Sequence, residues 1–253
     1  MIKRTVRERP ILFSGEMVRA ILEGRKTQTR RLMRRNLPFQ NERGDWEWYP
    51  AGKALGFHAR SGLPVFEVPQ GWAHDWCPHG GHGEGLWVRE AWRIASLPID
   101  DCPAIQYRAD DSIDWPDPLD PIFDWDSKYE DWFERMNSQL LEDCERAGLE
   151  VNINEEMAYT WDWDLIPTRW RPSIHMPRWA SRITLEVTGV RVERVQDITP
   201  EDAEAEGIEP YAPIYAPSAS AIDAFSELWD SLNAKYGWDV NPWVWVVEFR
   251  QRG

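Results

Sequence analysis

A basic turn at residues 24–30 has the sequence Gly-Arg-Lys-Thr-Gln-Thr-Arg. The types and spacing of its residues make it the first candidate for a catalytic site. Lys26 and Thr29 stand three positions apart and can meet across one turn. A lysine whose pKa is lowered by burial and by neighbouring arginines can accept the threonine proton, which makes the hydroxyl a nucleophile. The simpler interpretation is a solvated basic surface after a helix, because so polar a run is not expected in a core.

A short acidic segment at residues 201–207, Glu-Asp-Ala-Glu-Ala-Glu-Gly, is the second candidate. One of its carboxylates could serve as a general acid or base if it faced Lys26 and Thr29. The alternative is an ordinary exposed helix, which is the usual role of such a charge pattern.

Tryptophan and arginine occur side by side at two places, which is typical of platforms for a flat base. These residues are Trp87 with Arg89 and Trp179 with Arg178. With 17 tryptophans in the chain, most must fill the core, so a structural role competes at each position.

A histidine-rich loop holds His74, Cys77, His79 and His82. Its spacing is not one of the strong zinc patterns and only one thiol is present, so we predict no metal site and no cofactor. The sequence also lacks a dinucleotide-binding glycine motif, a phosphate loop, a nucleophile elbow and a zincin motif, which makes those enzyme classes poor candidates.

Secondary structure must position these groups. Ser14 can cap a helix that ends at Gly24, and Thr199-Pro200 begins a short helix that ends at Gly207. Periodicity predicts further helices near 129–148 and 219–236, and strands at 86–92, 183–195 (bent, or a hairpin) and 243–249. This irregular order favours a small, partly open β-barrel with helices packed on it over a doubly wound sheet.

The 253 residues have an ordinary globular composition but a formal net charge of −14. Residues 1–35 hold 11 Lys/Arg and 3 Asp/Glu, so an anion-binding surface is expected there. Residues 99–164 hold 20 acidic and 4 basic residues, which indicates an acidic insertion in one domain over 1–253. No apolar stretch is long enough to span a membrane, and few cysteines with no apolar leader favour the cytoplasm.

Several blocks in this order resemble ASCH-domain proteins, most of all the phage and prophage branch of that family. They lie at residues 17–31, 86–90 (Leu-Trp-Val-Arg-Glu), 176–182 (Met-Pro-Arg-Trp-Ala-Ser-Arg), 198–203 (Ile-Thr-Pro-Glu-Asp-Ala) and 241–249. Together they cover about half of the chain. The resemblance implies an α+β fold: a PUA-like small mixed β-barrel with flanking helices and a cleft for a nucleobase or RNA.

Small bacterial members of this family are amidohydrolases that remove the acyl group from N4-acetylcytidine. The resemblance implies that Lys26 is the general base, Thr29 the nucleophile and Glu206 the proton donor. Arg25 or Arg89 would stabilise the oxyanion. Binding of substrate or nucleic acid is expected at a wider set of residues: Arg25, Arg30, Arg31, Trp87, Arg89, Arg178 and Trp179.

The leading hypothesis is therefore a metal-independent amidohydrolase acting on N4-acylated cytosine nucleosides or a related modified base. A rival hypothesis is a non-catalytic module that binds RNA or DNA, with phosphates at the basic N-terminal segment and one base in a Trp/Arg cleft. A third is that the acidic 99–164 segment mimics nucleic acid and binds a basic host protein.

Overall fold

The computed structural model describes residues 7–33, 37–40, 46–49, 66–67, 77–96, 104–115, 128–150, 152–153, 159–160, 168–208 and 221–252. The chain is mixed α+β and divides into two compact units. The first unit comprises Met1–Arg9, Ala20–Leu86 and Leu185–Gly253, and the second comprises Pro10–Arg19 and Trp87–Thr184. The acidic segment 99–164 lies within the second unit, and the single domain over 1–253 stays a prediction.

The strands are β1 (Glu8–Leu12), β2 (Gln28–Leu32), β3 (Leu37–Gln40), β4 (Trp46–Tyr49), β5 (Phe66–Glu67), β6 (Gly85–Arg89), β7 (Trp92–Ser96), β8 (Ala104–Tyr107), β9 (Ile113–Asp114), β10 (Asn152–Ile153), β11 (Tyr159–Thr160), β12 (Thr184–Arg194) and β13 (Trp243–Gln251). The α-helices are α1 (Gly15–Leu22), α2 (Lys128–Ala147), α3 (Pro200–Ala205) and α4 (Ala221–Leu232). None of these helices combines the length and apolar character needed to cross a membrane.

The main sheet has the order β1-β6-β12-β13-β2, with β5 pairing beside β12. Strands β12, β13 and β2 are antiparallel, and the register of β12 against β13 shifts between Val187 and Gly189. Residues 183–195 therefore form one bent strand rather than a hairpin. Among the described strands no closed barrel is found.

The core of the first unit lies where α3 and α4 pack on β13. Its buried residues are Val195, Ile198, Ala203, Ala221, Phe225, Trp229, Val244 and Val246. Burying side chains of this size provides most of the free energy that holds such helices on a sheet. The predicted helix at 219–236 is shorter than expected, because Ala234–Tyr236 forms a separate 3-10 turn.

The second unit contains the β7-β8-β9 sheet, helix α2 and two 3-10 turns at Ser173–His175 and Arg178–Ala180. Its core includes Trp92, Ile105, Tyr107, Leu140 and Met176. The prediction of one strand over 86–92 was wrong in extent. Two strands, β6 and β7, are separated at Glu90 and Ala91, where the side chain of Glu90 is buried in an ion pair with Arg182.

Candidate active site

Backbone hydrogen bonds fix the basic turn between α1 and α3. The amide of Lys26 donates to the carbonyl of Ala20, and the amide of Thr27 donates to the carbonyl of Ala205. Gly24 ends α1 with a φ of 74°, the left-handed conformation that glycine adopts without steric cost. The turn is therefore held against the end of the helix that carries Glu206.

The short helix α3 forms as its sequence predicts. Thr199 caps it, since its hydroxyl accepts a hydrogen bond from the amide of Asp202 at 3.1 Å, and Pro200 takes the first helical position. Gly207 follows with a φ of 85°, and a Cβ atom there would lie 3.0 Å from the Cβ of Lys26. Glycine thus permits the close approach of α3 to the basic turn.

Lys26 and Glu206, which are 180 positions apart, meet in a buried ion pair. The Nζ of Lys26 donates to Glu206 Oε2 at 2.8 Å and to the carbonyl oxygen of Glu206 at 2.7 Å. The exposed fractions of the two side chains are 0% and 4%. The structure therefore brings together two of the three residues predicted to be catalytic, and encloses both.

Burial lowers the pKa of Lys26, although the charge and hydrogen bond of Glu206 act in the opposite direction. The positive charges of Arg31 and Arg30 lower this pKa further. Burial also lowers the pKa of Arg31, which Glu206 partly offsets. The surroundings therefore favour a lysine that gives up its proton more readily than one in water.

Thr29 lies in β2, buried, with Val247 as its register partner in β13. Successive side chains of a strand point to opposite faces, so Thr29 and Arg31 face away from Gln28 and Arg30. Among the described residues, the Thr29 hydroxyl makes no hydrogen bond with Lys26 or Glu206. Thr29 is thus near the pair in sequence but is not joined to it.

The basic run is only partly a solvated surface: Gly24, Arg25 and Thr27 are exposed, whereas the other four residues are buried, against the expectation that the run is too polar for a core. Lys26, Gln28, Thr29 and Arg30 are all at most 5% exposed. The reason is that acidic partners from distant segments neutralise the run, as when Arg30 donates to Asp202 Oδ2 at 2.9 Å. Arg25 keeps an exposed ion pair with Glu23.

Two residues that sequence reasoning missed belong to this network. Arg191 and Glu193 lie in β12, where the Nε of Arg191 donates to Glu193 Oε2 at 3.1 Å. Arg30 donates to the other oxygen of Glu193. No local signal marks them, because charged residues at alternate positions of an apolar strand ordinarily face solvent.

The predicted base-binding residues of the second unit form a separate group. The Trp87 ring is only 7% exposed, and the guanidinium carbons of Arg89 and Arg178 lie 4.5 and 5.9 Å from its centroid. Trp179 packs edge-on against Trp92 with ring centroids 6.1 Å apart. Arginine rather than solvent therefore lies over the ring of Trp87.

The structure describes the histidine-rich loop from Cys77 to His82. Within the described residues no group of three or more His, Cys, Asp or Glu is placed to hold a metal ion, and His74 lies outside them. Burial raises the pKa of the Cys77 thiol to about 12, and burial together with Arg31 and Arg9 lowers the pKa of His79 to about 4. Both side chains are accordingly neutral near pH 7.

Comparison of the chain with protein-family models, with curated proteins and with solved structures found no match.

Proposed function

We propose that this protein is an amidohydrolase that removes the acyl group from N4-acylated cytosine nucleosides or a related modified base. The observation that supports the proposal is the buried contact between Lys26 Nζ and Glu206 Oε2 at 2.8 Å. The proposal includes a PUA-like arrangement of the main sheet, supported by antiparallel β2, β12 and β13 with α3 and α4 packed on them.

The protonation states available to Lys26 and Glu206 suit the reaction. Transfer of one proton from Lys26 to Glu206 gives a neutral amine and a neutral carboxylic acid, which are the general base and the proton donor that the reaction needs. Burial favours this neutral form over the ion pair, because charges lose hydration in a dry environment. The lowered pKa of Lys26 acts in the same direction.

In the proposed reaction Lys26 takes the proton of the Thr29 hydroxyl, and the Thr29 oxygen attacks the acyl carbon. The bond between that carbon and N4 then breaks, and Glu206 gives its proton to the leaving amine. Water hydrolyses the acyl ester on Thr29 and releases the carboxylic acid. Because Lys26 is fully enclosed, turnover requires the contact with Glu206 to open and the Thr29 hydroxyl to approach Lys26.

The test is release of acetate from N4-acetylcytidine, with a panel of other N4-acylated nucleosides and cytosine bases. Thr29→Ala should abolish release, and Thr29→Ser should retain part of it because a hydroxyl remains. Equal rates for wild type, Thr29→Ala and Thr29→Ser would exclude Thr29 as the nucleophile. An absence of turnover by the wild type over the whole panel would overturn the proposed function.

One observation favours a second candidate, a non-catalytic module that binds single-stranded nucleic acid. The ion pair of Lys26 with Glu206 is closed to solvent, as in a purely structural contact. This candidate predicts affinity for labelled single-stranded RNA or DNA that falls steeply between 50 and 200 mM salt, by a factor on the order of 10³ for about six phosphate contacts. Lys26→Met should leave that affinity unchanged.

A further inference from the structure

Arg30 is the cation that connects Glu206 to the rest of the buried network. Its Nη1 donates to Glu206 Oε1 at 3.3 Å, while Nη2 donates to Asp202 and Glu193. The Arg30 side chain is fully enclosed. One planar guanidinium group therefore contacts three carboxylates, and only one of them is paired with Lys26.

The other two carboxylates are themselves fixed by further partners. Arg191 donates to both carboxylate oxygens of Asp202 at 3.1 Å and to Glu193 at 3.1 Å. The side-chain amide of Gln28 donates to Asp202 Oδ1 at 3.0 Å. Two arginines and two carboxylates, Arg30, Arg191, Glu193 and Asp202, thus form a layer beside Glu206 with no net charge.

The charge balance of this layer matters for the reaction. A single uncompensated cation in hydrogen-bonding distance of Glu206 would stabilise its carboxylate and withhold the proton from the leaving amine. Glu193 and Asp202 offset that effect, while Nη1 of Arg30 keeps the carboxylate of Glu206 turned toward Lys26. Arg31 also acts on Lys26 and Glu206, and Glu248 contacts Arg191 at the half-exposed edge of the layer.

We propose that Arg30 is a positioning residue for the Lys26–Glu206 pair: it orients the Glu206 carboxylate by hydrogen bonding, while Glu193 and Asp202 cancel its charge. This inference rests on the proposed function, because it assigns Arg30 a role in preparing the general base and the proton donor.

The inference makes opposite predictions for two substitutions in the same network. Arg30→Met leaves the layer with a net negative charge, which raises the pKa of Lys26. Asp202→Asn leaves a net positive charge, which lowers it. The double variant restores neutrality and should bring the Lys26 pKa back toward that of the wild type.

The pKa of Lys26 can be followed directly by NMR of protein labelled with ¹³C at lysine Cε. The chain has only five lysines, and Lys26→Met identifies the resonance by its disappearance. We expect shifts of about one pH unit, upward in Arg30→Met and downward in Asp202→Asn, from one charge at this range. Arg250→Met, which breaks an exposed pair with Glu186 in the same sheet, should leave the Lys26 titration unchanged.

Shifts of the same sign in both variants, or none, would overturn the charge cancellation, and an unchanged kcat in Arg30→Lys would overturn the orienting role of Arg30. If Arg30→Met does not fold, Arg30→Lys and Glu193→Gln provide the same test. Arg30→Lys keeps the charge but loses the planar fork, so the Lys26 pKa should stay and the kcat should fall at similar KM. Glu193→Gln should shift the Lys26 pKa downward, as Asp202→Asn does.

The two proposals fail in different ways. If the wild type releases no acetate while the NMR shifts are opposite in sign, the proposed function fails and the cancellation of the Arg30 charge by Glu193 and Asp202 is still supported. If acetate is released and the shifts of the Lys26 pKa are absent or of the same sign, the proposed hydrolase activity is supported and the proposed role of Arg30 is excluded.

Discussion

Each unit of the molecule buries an ion pair, but the two pairs use different cations. In the first unit Lys26 contacts Glu206 at 2.8 Å. In the second unit Arg182 donates two hydrogen bonds of 3.0 Å to the two oxygens of Glu90, and its guanidinium carbon lies 4.0 Å from the Tyr107 ring centroid. A lysine can transfer its proton to a buried carboxylate, whereas an arginine does not give its proton up.

The pKa values of Lys26 and Arg182 differ in the same way. Burial lowers the pKa of Lys26 against the opposing influence of Glu206. Burial also disfavours the charge of Arg182, but hydrogen bonds to Glu90 and Asp110 outweigh it and raise the Arg182 pKa. The first pair is therefore suited to proton transfer, and the second to holding β6, β8 and the 178–182 segment of its unit together.

The largest expected loss of stability comes from breaking the second pair, Glu90 with Arg182. Glu90→Leu leaves Arg182 with Asp110 as its one carboxylate partner among the described residues, so the free energy of unfolding should fall by about 3–5 kcal/mol. Urea denaturation of the full chain measures this loss. Glu186→Gln, which breaks the exposed pair with Arg250, is the control and should cost no more than about 1 kcal/mol. Similar small losses in both variants would contradict a structural role for Glu90.

The next effect is a pH dependence in the first unit. Burial, with added repulsion from Arg31 and Arg9, lowers the pKa of His79 to about 4 from the ordinary value of about 6.5. Between these two values the unfolded chain binds more protons than the folded protein, so stability falls as the pH falls through this range. The full loss is about 3 kcal/mol below pH 4, and none of it appears above pH 6.5.

Urea denaturation at a series of pH values tests this effect in a difference between variants. His79→Gln should remove about 3 kcal/mol of the acid-induced loss relative to the wild type. His82→Gln, at an exposed position, is the matched control and should follow the wild type. Parallel curves for wild type and His79→Gln between pH 4 and 6.5 would show that His79 is solvated and protonates freely.

The smallest expected change in stability comes from replacing the first pair, Lys26 with Glu206. Replacing both members of the first pair, in Lys26→Met/Glu206→Leu, should lower the free energy of unfolding by about 1–2 kcal/mol. Apolar side chains of similar volume avoid the desolvation of two charges, but Nη1 of Arg30 loses its acceptor on Glu206. Acetate release should be lost in the same variant. A loss of stability as large as that of Glu90→Leu would place Lys26 and Glu206 in the same structural class as the second pair.

The sequence predicts the four described α-helices and three of the strand regions, because their signals are local. The cap at Thr199, the proline at position 200 and Gly207 mark α3 closely, and a largely apolar run predicts β13. By contrast, the split between β6 and β7 follows from the pairing of Glu90 with Arg182, 92 positions away. No local pattern reveals such a contact.

The candidate site shows the same limit. The spacing of Lys26 and Thr29 marks them as candidates, but Glu206 enters through a resemblance, since nothing near residue 26 indicates a partner at residue 206. The burial of Arg30 could not be predicted from its own polar segment, because its compensating charges come from β12 and α3. Strand β2 was not predicted, because its polar residues indicate a turn, and the alternation along it separates Thr29 from Arg30.

The most direct test of the central claim is acetate release from N4-acetylcytidine by Lys26→Met, measured beside Lys235→Met, the same substitution at an exposed lysine of the same unit. If Lys26 is the general base, its loss should lower kcat by a factor on the order of 10²–10⁴ while Lys235→Met matches the wild type. Equal rates for both variants, or no release by the wild type, would contradict the account.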